Sequence, residues 1–535
     1  MKKYLLAHDL GTSGNKATLY STEGELVKSC VHSYDMLVSN NNWVEQRPED
    51  FWNAVCISTK ELVQDIDVND IAAISFSGQM MGCICVDKEG RALRNALIWA
   101  DMRATREEEM IRERISEEDF YHLTGHKISP SYGGQKLMWV KNNEPEIYEN
   151  TYKMLNCKDY IILKLTGEFV TEYTDASSTN LLDLNKLEWS DRLLEVMGID
   201  REKMPALLKS TDVAGTVTDE AAKACGLVSG IPVVCGGGDG VCAAVGTGCT
   251  KEGIAHSCMG TSSWISITTE KPIYDEEMRT FTWAHIVPGY VLPTGTMQCG
   301  GGSYSWFTKE LCKYESLLGE QQGVSKYDLL EQEIGDSKPG ANGLLFLPYL
   351  IGERSPRWNP KAKGAFIGLK METEKKDMVR AVQEGVAFNL GVVMDVFKGK
   401  GVAIDDMIVI GGGAQSDAWL QILADVYNIN IQKPNYLEEA TSMGAAITAG
   451  VGVGVFENFD VIDKFLKIEE TKTPNTDNQP VYSAMKPIFD EAYFALTGVF
   501  DKLSEFTNYI KRHIKQHTGK AVLLFCVQRH DTACI

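Results

Sequence analysis

The segment Lys3-Tyr4-Leu5-Leu6-Ala7-His8-Asp9-Leu10-Gly11-Thr12-Ser13-Gly14-Asn15-Lys16 decides the reading of this chain. An apolar strand over 3–8 runs into a turn of small residues, and a second strand resumes from Lys16 to Tyr20. Thr22-Glu23-Gly24-Glu25 turns the chain into a third strand. The same grammar returns later: Gly253 to Met259 reads as a strand, Gly260-Thr261-Ser262-Ser263 as a turn, and Trp264 to Thr268 as a strand. A second echo is a buried strand followed by glycines and a helix. It occurs at Ile231–Cys235 with Gly236-Gly237-Gly238-Asp239, and at Met407–Ile410 with Gly411-Gly412-Gly413-Ala414. Two tandem matches of this kind predict a duplicated α/β fold with one ligand cleft between its halves.

Between these landmarks, a helix is expected from about Pro48, with Glu49 and Asp50 suited to its first turn. Its apolar face is Phe51, Trp52, Val55, Leu62 and Val63. Ile71 to Ser77 reads as a buried strand. Helical patterns cover about 104–115, 134–142 and 158–165.

Composition narrows the function. Lys plus Arg is 53 and Asp plus Glu is 73 in 535 residues, a net charge of −20. So acidic a chain is unsuited to nucleic acid or anionic membrane. The apolar fraction of 44% is that of a globular protein, and the length calls for more than one domain. The fourteen cysteines are scattered without a Cys-x-x-Cys pair and read as buried free thiols. The first residues turn polar too soon for a secretory leader, and no run of about 18 apolar residues occurs. A reducing cytoplasm is the expected compartment.

The residues that carry chemistry lie at these turns. Glycine lets a backbone approach a ligand, and two Gly-Thr-Ser tips facing each other offer N–H and hydroxyl donors to phosphates. Each tip is also readable as an ordinary hairpin turn. Lys16 stands just beyond the first tip, within reach of a phosphate or free in solvent. Asp9, at a strand end, suits a hydrated Mg²⁺ or a bond to its own turn. Asp239 suits either a helix N-cap or a general base on a sugar hydroxyl. Trp99, Asp101 and Arg103 alternate on one side of an extended segment, as a sugar wall or as a structural ion pair. Gln79, Met80 and Met81 end a strand and line a pocket or fill the core. Gly411 to Ala414 is not followed by the acidic residue of a dinucleotide fingerprint, and no P-loop occurs.

Taken in order, these motifs resemble those of the FGGY carbohydrate kinases. The resemblance covers Asp9 to about Gly450. It includes Gly78-Gln79-Met80, Trp99 to Arg103, Lys136-Leu137-x-Trp139-Val140, Phe346-Leu347-Pro348-Tyr349-Leu350-x-Gly352-Glu353-Arg354-x-Pro356 and Gly364-x-Phe366-x-Gly368-Leu369. It implies a two-lobed actin-like ATPase fold, each lobe ribonuclease H-like, with a nucleotide cleft between lobes. The implied division is a sugar-binding lobe over 1–250, a nucleotide-binding lobe over 251–456, a helical segment over 457–512 packing on the lobes, and a tail over 513–535 without an assigned role.

The implied activity is ATP-dependent phosphorylation of a ketopentose, D-xylulose first, with another ketose or polyol as the alternative. The implied cofactors are ATP and Mg²⁺. By the same resemblance, Asp239 is the base and Asp9 helps hold Mg²⁺. Thr12, Ser13, Lys16, Gly260 and Thr261 serve the phosphates. Gly301, Gly413, Ala414 and Asp417 fall on the nucleoside side. Gln79, Met80, Met81, Trp99, Asp101 and Asp239 surround the sugar. Implied partners are a small sugar and ATP, without nucleic acid or membrane. Homodimers occur in the family, and no residue pattern here marks an interface.

Departures from the family pattern bear on specificity. Met81 stands where the xylulose-phosphorylating members have His, and Gly240 where they often have Asn. Losing an imidazole removes a donor and an acceptor from the sugar site. The Arg-Glu pair that glycerol-phosphorylating members carry at 80–81 is absent. Competing readings are an actin- or chaperone-like ATPase and a sugar-binding regulator without turnover.

Overall fold

The computed structural model describes residues 2–40 and 42–517. Its framework is two mixed sheets. The first is built from β1 (Tyr4–Leu10), β2 (Gly14–Ser21), β3 (Leu26–Ser33), β4 (Ile71–Gly78), β5 (Val213–Thr216) and β6 (Pro232–Val234), in the order β5-β6-β4-β1-β2-β3. Gly237–Gly238 adds a short pairing to β4. The second uses β7 (Ala255–Met259), β8 (Ser263–Ile267), β9 (Phe281–Ala284), β10 (Val291–Met297), β11 (Asp406–Ile410), β12 (Asn430–Pro434) and β13 (Ile468–Lys472). Its order is β9-β10-β8-β7-β11-β12-β13.

The two sheets repeat one plan. In each, an antiparallel hairpin (β1–β2, β7–β8) is extended by an antiparallel strand on one side. A parallel strand follows on the other, β4 beside β1 and β11 beside β7. The hairpin tips are the two Gly-Thr-Ser turns. β4 is buried along its whole length, as a strand covered on both faces must be. β3, at the sheet edge, alternates between half-buried and exposed residues.

Helices cover the sheets: α1 (Pro48–Leu62), α2 (Gly133–Asn143), α3 (Cys157–Thr166), α4 (Asp239–Gly246), α5 (Gly301–Leu311), α6 (Lys326–Asp336), α7 (Lys375–Gly399), α8 (Asp417–Tyr427), α9 (Ala440–Gly452) and α10 (Gln479–His517). Pro48 starts α1 without losing a hydrogen bond, Glu49 and Asp50 meet its positive end, and Lys60 its negative end. α7 is buried along most of its 25 residues and forms the spine of the second core.

α9 belongs to the second half of the chain yet packs against α4, β1 and β4 of the first. The approach is close because the facing residues are small. A Cβ on Gly444 would stand 1.9 Å from the Cys242 carbonyl oxygen, and one on Gly246 would stand 1.9 Å from that of Ala440. Residues of both halves, among them Leu5, Ala7, Val241, Met443 and Ile447, share one apolar cluster. Of the tail expected over 513–535, residues 513–517 continue α10, and 518–535 lie outside the described residues. Among the described residues, no helix is long and apolar enough to cross a membrane.

Candidate active site

The two tips are held by different means. In the first, the Gly11 N–H donates to the Gly14 carbonyl at 3.0 Å, closing the turn. Gln46 Nε2 donates to the Thr12 carbonyl at 2.7 Å, and Trp99 Nε1 to Thr12 Oγ1 at 2.9 Å. The second tip rests on the start of α5. The Gly301 and Gly302 N–H groups donate to the carbonyls of Gly260 and Thr261 at 2.8 and 2.9 Å. Glycine is required at 301, where a Cβ would lie 2.5 Å from the Gly260 oxygen.

Asp9 ends β1 at the first tip. Its two carboxylate oxygens accept from Ser77 Oγ at 2.8 Å and from Thr441 Oγ1 at 2.7 Å, the latter from the start of α9. Burial raises its pKa, and the two hydroxyls and Lys16 oppose that rise. Asp239 opens α4, after a backbone so tight that a Cβ on Gly236 would meet the Phe76 carbonyl oxygen at 1.9 Å. Its carboxylate accepts from the Gly240 N–H at 2.7 Å. Burial, and then the neighbouring Asp9 charge, push its pKa up to about 7. Two carboxylates that repel each other beside a phosphate-sized turn are a donor set suited to a hydrated divalent cation, Asp9 being the one at the tip.

Asp239 lies on the wall of a cavity between the halves, with Thr12 of the first tip and Ser262 and Ser263 of the second. Met80, Met81 and Trp99 stand on this wall as expected from sequence. Five aromatic residues join them on the wall: Tyr132, Trp264, Phe281, Trp283 and Trp358. The sequence reading missed these. Only Trp264, directly after the second tip, carried a local signal. Arg354, in a motif already singled out, also reaches the cavity. Its guanidinium stacks over Trp99 at 5.7 Å, and its Nε has no hydrogen-bond partner. Trp264 Nε1 and Thr296 Oγ1 are likewise buried without partners, which leaves donors for a hydroxylated ligand.

Met81 is held at φ +61, a conformation uncommon for a residue with a side chain. Its N–H donates to Ser178 Oγ at 2.9 Å and its carbonyl accepts from Lys136 Nζ at 2.8 Å. Lys136, on α2, is fully buried. It donates also to the Ile98 carbonyl at 2.7 Å and to that of Ser131. One ammonium thus ties together three segments that carry cavity residues.

Asp101 and Gln79 are not on the cavity wall. Asp101 is fully buried; its carboxylate binds the Arg103 guanidinium, at 2.7 Å to Nη2, and accepts from the Val44 N–H at 2.6 Å. Arg103 in turn lies over the Trp43 and Trp139 rings at 4.1 and 4.8 Å. The alternation of Trp99, Asp101 and Arg103 therefore builds an ion pair beneath the wall, with only Trp99 on it. Gln79 is buried and donates to Gln46 Oε1 at 2.9 Å, so it braces the residue that holds Thr12.

A second cavity gathers Gly260, Thr261, Gly301, Gly413 and Asp417. Tyr304, Tyr327 and Glu331 line it too, and sequence gave no sign of them. Glu331, on α6, accepts from Ser416 Oγ at 2.7 Å and from the Ala418 N–H, which fixes the start of α8. Asp417 faces Lys433 and Lys472 at 3.5 and 3.8 Å. Ala414 is buried and outside the lining. Ser13 is exposed at its tip and lines neither cavity. Lys16 donates to the Glu438 carbonyl at 3.1 Å and pairs with the Glu438 and Glu439 carboxylates at 3.5 and 3.6 Å, bridging the halves.

A duplicated fold of this plan, with paired phosphate-sized turns between a hydroxyl-donor cavity and a glycine-lined one, defines a two-lobed phosphotransferase of the actin-like ATPase class. Two family models cover most of the chain: the N-terminal domain of the FGGY family of carbohydrate kinases matches residues 4–246, and the C-terminal domain matches 255–453. The chain belongs to that family, whose members are ATP-dependent sugar kinases using Mg²⁺. A xylulose kinase from Staphylococcus xylosus is 31% identical over 91% of this chain and 100% of its own length. A gluconokinase from Bacillus subtilis is 30% identical over 96% and 100%. The crystal structure of a gluconate kinase from Lactobacillus acidophilus superposes with a TM-score of 0.87 at 28% identity, over 94% of this chain and 99% of that one.

Proposed function

We propose that this enzyme transfers the γ-phosphoryl group of ATP to D-xylulose, giving D-xylulose 5-phosphate, with Asp239 as general base. The observation that carries the reading is the place of Asp239, on the sugar-cavity wall beside both tips, with its pKa near neutrality. A base is most effective when its pKa lies near the working pH. The sugar hydroxyl oxygen attacks the γ-phosphorus, the bond to the bridging oxygen breaks, ADP leaves, and the hydroxyl proton goes to Asp239. Asp9 would hold Mg²⁺ through water, and the ion would supply charge neutralisation at the phosphates. Thr12, Ser13, Gly260 and Thr261 serve the phosphates from the tips, Lys16 holds the first tip against Glu438 and Glu439, and Gly301, Gly413 and Asp417 receive the nucleoside.

A second reading is an aldonate such as gluconate. The unpartnered, buried Arg354 Nε at the cavity suits a carboxylate, Met81 replaces the imidazole, and gluconate kinases stand among the similar proteins. The deciding measurement is Mg-ATP-dependent ADP release across D-xylulose, L-xylulose, D-ribulose, L-ribulose, erythritol, D-arabitol, glycerol and gluconate. D-Xylulose is expected to give the highest kcat/KM. A clear preference for gluconate selects the second reading, and preference for any other member overturns the assignment to D-xylulose.

A further inference from the structure

On β3, where His32 pairs with Asn15 just beyond the first tip, three potential ligands of different chemistry converge. Lys28, Cys30 and His32 alternate on the face of β3 that meets α1, because β3 is an edge strand with one covered face. Glu61 stands in the last turn of α1, opposite them. Cys30 Sγ, a ring nitrogen of His32 and a carboxylate oxygen of Glu61 all lie within 4.8 Å of one another. His32 Nε2 and Glu61 Oε2 share a hydrogen bond of 2.8 Å, while the Cys30 thiol makes a long contact, 3.7 Å, to the Ser58 carbonyl. His32 and Glu61 are partly open to solvent, with side chains 28% and 43% exposed.

We propose that Cys30, His32 and Glu61 bind one thiophilic divalent cation, Zn²⁺ in its common form, with water as the fourth ligand. Sulfur, nitrogen and oxygen at about 2.0–2.3 Å from a tetrahedral Zn²⁺ stand about 3.3–3.7 Å apart. The three atoms, within 4.8 Å of one another, would have to close by about 1 Å to reach that spacing. The cation takes the place of the proton shared by His32 and Glu61, and the Cys30 thiol proton leaves to solvent as the thiolate binds. The charged neighbours are Lys28 and Asp65. Lys28 Nζ donates to the Glu61 carbonyl at 2.8 Å and to Asp65 Oδ2 at 3.4 Å, which keeps it off the Glu61 carboxylate. Mg²⁺ prefers all-oxygen shells and does not compete here. None of the three side chains lines either cavity, and occupancy clips the sheet edge to the end of α1.

The test uses the full-length, dialysed enzyme in buffer containing Mg²⁺. Co²⁺ titration should give one equivalent with a thiolate-to-cobalt charge-transfer band and tetrahedral visible bands, displaced by Zn²⁺. Zn²⁺ should also raise the melting temperature. Cys30→Ser should abolish the charge-transfer band, and His32→Ala should weaken binding by at least about tenfold, the floor set by losses of outer partners. Both variants should retain sugar-kinase turnover, which shows that they fold. Absence of the thiolate band in the parent enzyme, or its persistence in Cys30→Ser, overturns the proposal.

Discussion

At Asp239 the fold holds a carboxyl where neither burial nor its neighbour favours the charge. The folded-state pKa of about 7 lies above the ordinary value of 3.8. In the window between them, the folded protein binds more protons than the unfolded one. Stability is therefore lost as pH rises through that window. Asp239→Asn should melt above the parent enzyme at pH 8, with the difference shrinking toward pH 4. The same substitution should cost about 10²–10⁴-fold in kcat. In the parent, kcat/KM should climb with pH up to about 7 and then level off. A variant with near-normal turnover would remove Asp239 from its role as base. At this scale the sequence was informative where a residue sits at a strand end or turn, as with Asp9, Asp239 and the tips. At Asp101 it left a sugar wall and an ion pair both open, because alternation says which residues share a side but not whether that side faces a ligand or a guanidinium.

Among elements, α2 matters for what its Lys136 holds. Three carbonyls take all three N–H donors of the ammonium, although burial pushes its pKa down to about 7. Lys136→Met leaves those carbonyls unsatisfied, at about 1–3 kcal/mol each where no water replaces the donor. The melting temperature should fall, and KM for the sugar should rise while KM for ATP stays within about twofold, since the tied segments carry Met81, Trp99 and Ser131 rather than nucleotide residues. Lys136→Gln keeps two donors and should be intermediate. An unchanged sugar KM in both would reduce Lys136 to a structural lysine. The hairpins, α1, α4 and α8 were legible from periodicity and turn residues. The aromatic wall was not, because Tyr132, Phe281, Trp283 and Trp358 come from segments that meet only after the sheets assemble. Nor was α9, a segment not singled out in the sequence, whose small residues make sense only once α4 is seen against them.

For the molecule as a whole, the sugar cavity takes wall residues from both halves, Thr12 and Met80 from one, Ser262 and Trp283 from the other. A phosphoryl donor in an open cleft would lose its group to water. Closure of the lobes on sugar and nucleotide is the physical remedy. Small-angle scattering should show a smaller radius of gyration with D-xylulose and a non-hydrolysable ATP analogue together than with neither. Coincident profiles would mean that water is excluded by the cavity wall alone. The duplication of sheet order was foreseeable from the repeated turns; the bridges between halves, such as Lys16 to Glu438 and Glu439, were not, since they join residues with no sequence relation.

The bond from Thr441 to Asp9 joins residues 432 positions apart. A ribosome adds about 5–20 residues per second, so the first strand waits tens of seconds for the hydroxyl that completes its carboxylate site. Throughout that interval the nascent chain carries Asp9 and Asp239 without α9, the helix that packs against their elements. The first carboxylate site is therefore finished only by a chain that has been made nearly to its end.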